Sequence, residues 1–127
     1  MYLIYSLITS IFLSMNTSTS VPYATIEKSF EANSAREVVA LGKSKILLNV
    51  LGKEGAYSQS QANLVLQDFI SKNSCTSFEF IFKGKEADQG CFAIGNYNTR
   101  SDKFRVTISF KKDQGTFKIE SLTIERD

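Results

Sequence analysis

Apolar and polar residues alternate most regularly in the second half of the chain, where the pattern predicts β-strands. In residues 104–110 every second side chain is apolar, as in a strand with one face buried and the other in water. Residues 78–83 and 91–99 follow a similar pattern, and residues 117–124 predict a final strand. Four long antiparallel strands are therefore expected.

Two irregularities in these strands predict that the sheet is curved. The jump of three from Ile119 to Leu122 breaks the alternation and indicates a β-bulge at Glu120-Ser121. Gly95 lies inside the strand of residues 91–99 and is a second candidate for a bend.

Before the strands the apolar spacing is helical. A stripe at i, i+3, i+4, i+7 and i+8 predicts a helix from about Ser60 to Lys72; its members are Ala62, Val65, Leu66, Phe69 and Ile70. Ser58 and Gln61 have the spacing of a capping box at the start of this helix. This is the strongest helical stripe in the chain.

Two short helices and a short hairpin are predicted ahead of the long helix. The helices follow Pro22 and Ser34, and the hairpin joins residues 45–51 to residues 56–58. The element order predicts an α+β domain in which a curved antiparallel sheet wraps around the long helix, with the three helices covering its apolar face.

The N-terminal segment differs in composition from the rest. Residues 1–26 carry no charged side chain, and residues 2–15 form an apolar run interrupted only by Ser and Thr. This run is shorter than the roughly 20 residues that span a bilayer, but it has the length of a signal-peptide core. We therefore predict a signal peptide over residues 1–20, a single domain over residues 23–127, export to the periplasm or beyond, and no stable membrane span after processing. The alternative is a first helix or strand of the fold.

Composition excludes several classes of function. The net charge of +2 argues against a nucleic-acid binder, and the absence of histidine removes His-based triads and His metal sites. No cofactor motif or metal-ligand spacing is present, so neither a cofactor nor a metal is predicted. Cys75 and Cys91 lie about eight strand residues apart in the predicted hairpin, which is too far for a disulfide.

Several short motifs resemble an uncharacterised, secreted bacterial family known from the Bacteroidetes and classed as a domain of unknown function. They are residues 57–62 (YSQSQA), Asp68-Phe69, residues 77–84, residues 93–95 (AIG), Arg105-Val106 and residues 122–125 (LTIE). The resemblance implies a nuclear-transport-factor-2-like (cystatin-like) cone and an exported protein, but no activity. The family often has histidine where this chain has Phe82.

An aromatic wall inside such a cone predicts a ligand pocket. The pocket candidates are Tyr57, Phe69, Phe80, Phe82 and Tyr97. Phe80 and Phe82 share one predicted strand face with Phe78, and Lys83 is expected on the opposite face. The alternative interpretation of these aromatic residues is ordinary core or rim packing.

Three functions remain open at this point. The first is a non-catalytic exported module that binds an apolar small molecule or a protein partner. The second is a homodimer formed through the outer sheet face by Ile81, Arg105 and Thr107, with Arg105 able to pair with Glu79 or Glu120 across strands.

The third is an isomerase- or dehydratase-type enzyme that uses a tyrosine and a carboxylate inside the cone. Asp68 is the candidate carboxylate. Its position off the helix stripe favours a solvated boundary site over a buried general base.

Overall fold

The computed structural model describes residues 20–127, so the predicted signal peptide lies outside the described residues except for Ser20. The helices are α1 (Tyr23–Glu31), α2 (Ala35–Ala40) and α3 (Gln59–Lys72). The strands are β1 (Gly42–Val50), β2 (Lys53–Ser58), β3 (Ser77–Lys83), β4 (Cys91–Asn98), β5 (Lys103–Asp113) and β6 (Thr116–Arg126).

The strands form one curved sheet in the order β2-β1-β6-β5-β4-β3, which confirms the predicted α+β architecture. Four of the five strand pairs are antiparallel, but β1 runs parallel to β6. This parallel pair was not predicted from the sequence. It joins strands that are far apart in the chain, and residue periodicity does not report which strands become neighbours.

Helix α3 begins as its capping chemistry predicts. The Ser58 hydroxyl accepts a hydrogen bond from the Gln61 backbone N–H at 3.3 Å, and the Gln61 side chain accepts from the Ser58 N–H. Four residues of the predicted stripe are buried against the sheet: Ala62, Leu66, Phe69 and Ile70. Ser34 likewise caps α2, because its hydroxyl accepts from the Glu37 N–H.

The predicted bulge in the last strand is present. Ser109 of β5 pairs with Ser121 of β6 and Phe110 pairs with Ile119, so Glu120 is the extra residue. Gly95 also permits a close approach between a side chain and the backbone. Because a Cβ at this position would collide with the Phe78 ring, the glycine allows that ring to lie directly on β4.

A second bulge, in β3, was not predicted and changes which residues face the core. Phe80 pairs with Gly95 but Phe82 pairs with Ile94, which leaves Ile81 as the extra residue. Since successive side chains alternate between faces, the extra residue reverses the face on which the following side chains of β3 lie.

Phe82 consequently lies on the outer face, 46% exposed, where its ring packs against Phe92 at a centroid distance of 5.3 Å. Lys83 instead lies on the inner-face side with its partner Ala93, exposed at the sheet edge, with its ammonium 4.8 Å from the centre of the Tyr23 ring. The expectation that Phe82 shares the face of Phe78 and Phe80, and that Lys83 faces outward, is therefore wrong.

The core is centred on aromatic rings that join both long helices to the sheet. The fully buried Tyr97 of β4 contacts Phe30 of α1, Phe69 of α3 and Phe104 of β5, with centroid distances of 5.8, 5.4 and 6.0 Å. Phe30 also stacks on Phe78 at 4.5 Å. These contacts fill the inner side of the sheet between α1 and α3.

Helix α1 covers the free edge of the sheet at β3. Glu31 Oε2 accepts a hydrogen bond from the Phe78 backbone N–H, and Glu27 Oε2 accepts from the Phe80 N–H, both at 3.1 Å. Two carboxylates one helical turn apart thus match two outward N–H groups of the edge strand. An edge satisfied in this way is closed to pairing with another strand.

We predict that the double substitution Glu27→Ala/Glu31→Ala lowers the free energy of unfolding by about 2 kcal/mol, because two backbone donors lose their partners. The matched variant Glu27→Gln/Glu31→Gln keeps an acceptor oxygen at each site and should lose less than half as much. Urea unfolding measures both. Equal losses in the two variants would show that the hydrogen bonds do not stabilise the edge.

Candidate functional site

A cavity of about 480 Å³ lies between the β1–β2 hairpin and helix α3, and we call it the hairpin–helix cavity. Its walls are mostly apolar and aromatic side chains: Val50, Leu51, Tyr57, Leu64, Val65 and Phe69. Its volume is within the range typical of small-molecule sites.

Two of the five predicted pocket residues, Tyr57 and Phe69, are brought together in this cavity. Phe69 belongs to the buried stripe of α3 and forms the floor. Tyr57 is on the inner face of β2, opposite Ile46 of β1. Because the hairpin leads directly into α3, the tyrosine and the helix enclose the same space.

Charged and polar side chains complete the lining of the cavity: Lys53, Asp68, Lys72 and Asn73. Asp68 Oδ2 and Lys72 Nζ form an i,i+4 ion pair at 3.2 Å on α3. Their side chains are 66% and 70% exposed, so Asp68 lies in the solvated position that helical geometry favours. Within residues 20–127 Lys53 makes no ion pair.

The other three predicted pocket residues lie outside the hairpin–helix cavity. Phe82 is on the outer face, as described above. Phe80 is buried against the rings of Tyr23 and Phe78.

Tyr97 is a core residue whose hydroxyl donates to the backbone oxygen of Asn73. Loss of hydration on burial, followed by the proximity of Cys75, raises the pKa of Tyr97. A phenol held neutral and hydrogen-bonded in this way stabilises the core.

Leu51 and Leu64 are two of the cavity residues that were not predicted from the sequence. They are 45% and 70% exposed. Leu64 lies off the buried stripe of α3, and Leu51 follows β1 with a positive φ of 53°. The signal available in the sequence was Leu64 itself, an apolar residue outside the helical stripe.

The residues predicted as a partner surface are all on the outer face. Ile81 is 55% exposed and Thr107 is half-buried. Arg105 pairs with neither Glu79 nor Glu120. Its Nη2 contacts Asp127 Oδ1 at 3.0 Å instead, because Asp127 follows the end of the neighbouring strand β6.

The outer face also carries an exposed apolar cluster at its β3–β4 end. It consists of Ile81, Phe82 and Phe92, which we call the outer aromatic patch. Each of these side chains is about half exposed. The remainder of β5 and β6 presents mainly polar and charged side chains on this face.

A second cluster of titratable groups lies where α1 meets the β3–β4 hairpin. Burial, and then the proximity of Cys91 and Glu86, raises the pKa of Tyr23 to about 12. Its hydroxyl is buried and has no hydrogen-bond partner in the described part of the chain. The raised pKa values of Tyr23 and Cys91 keep the phenol and the thiol of this cluster in the neutral form at neutral pH.

The two cysteines are free and lie near opposite ends of β4. Cys91 begins the strand, whereas Thr76, next to Cys75, donates its backbone N–H to the Asn98 oxygen at the other end. Residues 20–127 contain no group of three or more His, Cys, Asp or Glu side chains that could hold a metal ion.

Comparison with known proteins agrees with this architecture. The sequence model of DUF4783, a domain of unknown function, matches residues 23–125. The chain belongs to this family. No curated protein matches the chain at a significant level.

The chain is similar to a crystal structure of a DUF4783 family protein from Bacteroides ovatus. The two are 26% identical, the match covers 87% of this chain and 98% of that chain, and the TM-score is 0.79. A cystatin-like protein of unknown function from Nostoc punctiforme shares the fold, with 13% identity, 82% and 72% coverage and a TM-score of 0.64.

An NTF-2-like protein of unknown function from Silicibacter pomeroyi is 10% identical, with 82% and 88% coverage and a TM-score of 0.60. Together these similarities establish the nuclear-transport-factor-2-like fold that the sequence motifs imply. These similarities do not indicate an activity.

We predict that Tyr23→Phe leaves the free energy of unfolding at neutral pH unchanged or raises it by up to about 2 kcal/mol, because a buried, unpaired hydroxyl is removed. Tyr97→Phe is the matched control and should lower it by about 1 kcal/mol, since it loses a made hydrogen bond. Denaturant titration measures both.

The raised pKa of Tyr23 makes the free energy of unfolding depend on pH, with a definite sign. The folded protein holds this proton more tightly than the unfolded chain, so the associated stability is complete below pH 10 and is lost as the pH rises towards 12. Tyr23→Phe should therefore lose less stability between pH 8 and pH 11 than the parent protein. Identical losses would contradict the assignment.

Proposed function

We propose that this protein is an exported, non-catalytic module that binds an apolar small molecule in the hairpin–helix cavity. The observation that carries the proposal is the cavity itself, whose volume of about 480 Å³ suits a small ligand. Its lining is mainly apolar, and Leu51 and Leu64 present exposed apolar surface at its rim. A ligand that covers these leucines would remove apolar surface from water.

An enzymatic function has less support from the same site. Tyr57 and Asp68 both line the cavity, but within residues 20–127 no tyrosine hydroxyl is hydrogen-bonded to a carboxylate. Asp68 is paired with Lys72 and solvated, so nothing in its surroundings prepares it to act as a general base.

We expect 1-octanol to bind the purified protein and to shift the NMR signals of cavity residues. Leu64→Gln should weaken this binding at least about threefold, because part of the apolar rim is lost. Leu47→Gln is the matched control, since Leu47 is also an exposed leucine but lies on the outer face of β1. Absence of binding, or equal weakening by both substitutions, would refute binding in this cavity.

Export is supported by the composition of the N-terminal segment. Residues 1–26 lack charge, and residues 2–15 have the length and apolarity of a signal-peptide core. Among the described residues, no helix is long and apolar enough to cross a membrane.

If the leader is a removable signal, deleting residues 1–20 should leave the midpoint of thermal unfolding unchanged within error. Phe69→Ala is the reference for a true core change and should lower the free energy of unfolding by about 3–5 kcal/mol, because Phe69 is 4% exposed and packs between Tyr97 and Phe104. A truncation that costs as much as Phe69→Ala would place residues 1–20 in the folded domain.

A second candidate function is self-association through the outer sheet face, which the outer aromatic patch favours. Exposed aromatic side chains grouped on one sheet face are typical of association surfaces. Light scattering at high protein concentration should then report a dimer, and Phe82→Gln should shift it to a monomer. A monomer at every concentration would exclude this candidate and leave the first unaffected.

A further inference from the structure

We propose that the hairpin–helix cavity selects amphiphilic monoanions, with an apolar body against the cavity walls and a carboxylate-type head at Lys53 and Tyr57. The proposal rests on the proposed function and adds the chemical class of the ligand. Three observations support it: the placement of two hydrogen-bond donors on β2, the balance of charge around the cavity, and its apolar floor.

The two donors are placed by the geometry of β2. Lys53 pairs with Val50, Gly55 with Leu48 and Tyr57 with Ile46, so Lys53, Gly55 and Tyr57 are successive residues on the inner face. A Cβ at Gly55 would be 2.5 Å from Cζ and from Oη of Tyr57. The tip of the phenol therefore lies over Gly55, and its hydroxyl is directed along the strand towards Lys53.

Gly55 makes this arrangement sterically feasible. Its own φ is not positive, so the backbone does not require glycine here. The requirement comes from the ring above it, because any side chain at residue 55 would displace the phenol. The glycine therefore leaves room for the phenol on the same face of β2 as Lys53.

The charge around the cavity favours an anion. Of its three charged side chains, Asp68 and Lys72 neutralise each other through their 3.2 Å ion pair. Lys53 makes no ion pair within residues 20–127, which leaves one uncompensated positive charge. A carboxylate can accept from both the ammonium and the phenol, whereas an ammonium ligand would meet like charge.

The floor of the cavity explains why the anion needs an apolar body. Val50, Val65 and Phe69 offer no hydrogen-bond donor to a second polar group. Lys53 is exposed at the rim, so a head group there keeps part of its hydration while the apolar part is buried. A small hydrophilic anion would gain only the interaction of its head group with Lys53, without the burial of an apolar part.

The test uses three probes with the same eight-carbon chain: octanoate, 1-octanol and octylamine. Calorimetric titration at pH 8, with NMR to locate the site, should show octanoate binding about tenfold more tightly than 1-octanol, since its head gains charge-assisted hydrogen bonds. Octylamine should bind more weakly than 1-octanol. The differences in affinity among the three probes should become smaller as salt is added, because the charges are near the surface and are screened.

Two substitutions test whether Lys53 and Tyr57 cause the preference for octanoate over 1-octanol. Lys53→Gln should reduce the octanoate affinity to within about threefold of the affinity that the same variant has for 1-octanol. Lys45→Gln is the matched control, because Lys45 is an exposed lysine outside the cavity lining. Tyr57→Phe should weaken the binding of octanoate more than the binding of 1-octanol.

The outcomes separate this proposal from the proposed function. If 1-octanol binds in the cavity but octanoate binds no better, or if Lys53→Gln keeps the preference, the anion selectivity is refuted and apolar binding stands. If none of the probes binds, both are refuted. Tighter binding of octylamine than of octanoate would likewise overturn the assignment of Lys53 as the head-group partner.

Discussion

The packing of Tyr97 is the interaction on which the arrangement of the helices depends. This fully buried ring of β4 contacts one phenylalanine from α1 and one from α3, and its hydroxyl bonds to the backbone at the C-terminal end of α3. One side chain therefore sets the distance of both helices from the sheet. The aromatic core around it fills the region between the helices, and the cavity is displaced to the side, beneath the β1–β2 hairpin.

Local signals were sufficient for most of the fold. The stripe of α3, its capping box, the alternation in β5 and the bulge at Glu120 are properties of contiguous residues, and each has the predicted structure. The parallel pairing of β1 with β6 and the bulge at Ile81 depend on which strand lies alongside. The Phe-x-Phe-x-Phe pattern of residues 78–82 gave no indication that a residue would be inserted in the pairing.

The candidate site could be predicted only in part, for a related reason. Tyr57 and Phe69 lie in the cavity because the chain passes directly from β2 into α3, a relation visible in the sequence. Phe80 and Tyr97 were predicted from residue type alone, and an aromatic residue on an inner strand face fills a core as readily as it lines a pocket. Of the rim leucines, Leu64 had a signal in the sequence, because it lies outside the helical stripe, whereas the exposure of Leu51 depends on its neighbours in the tertiary structure.

The bulge at Ile81 divides β3 into two segments of opposite side-chain phase. Before it, even-numbered residues face the helices; after it, odd-numbered residues do. A deletion of one residue at this point would restore a single phase, turn Phe82 to the inner face and move Lys83 to the outer face without changing either residue. The number of residues in β3 therefore controls which side chains are on the outer surface at this end of the sheet. Adding or removing one residue there changes that surface more than most single substitutions would.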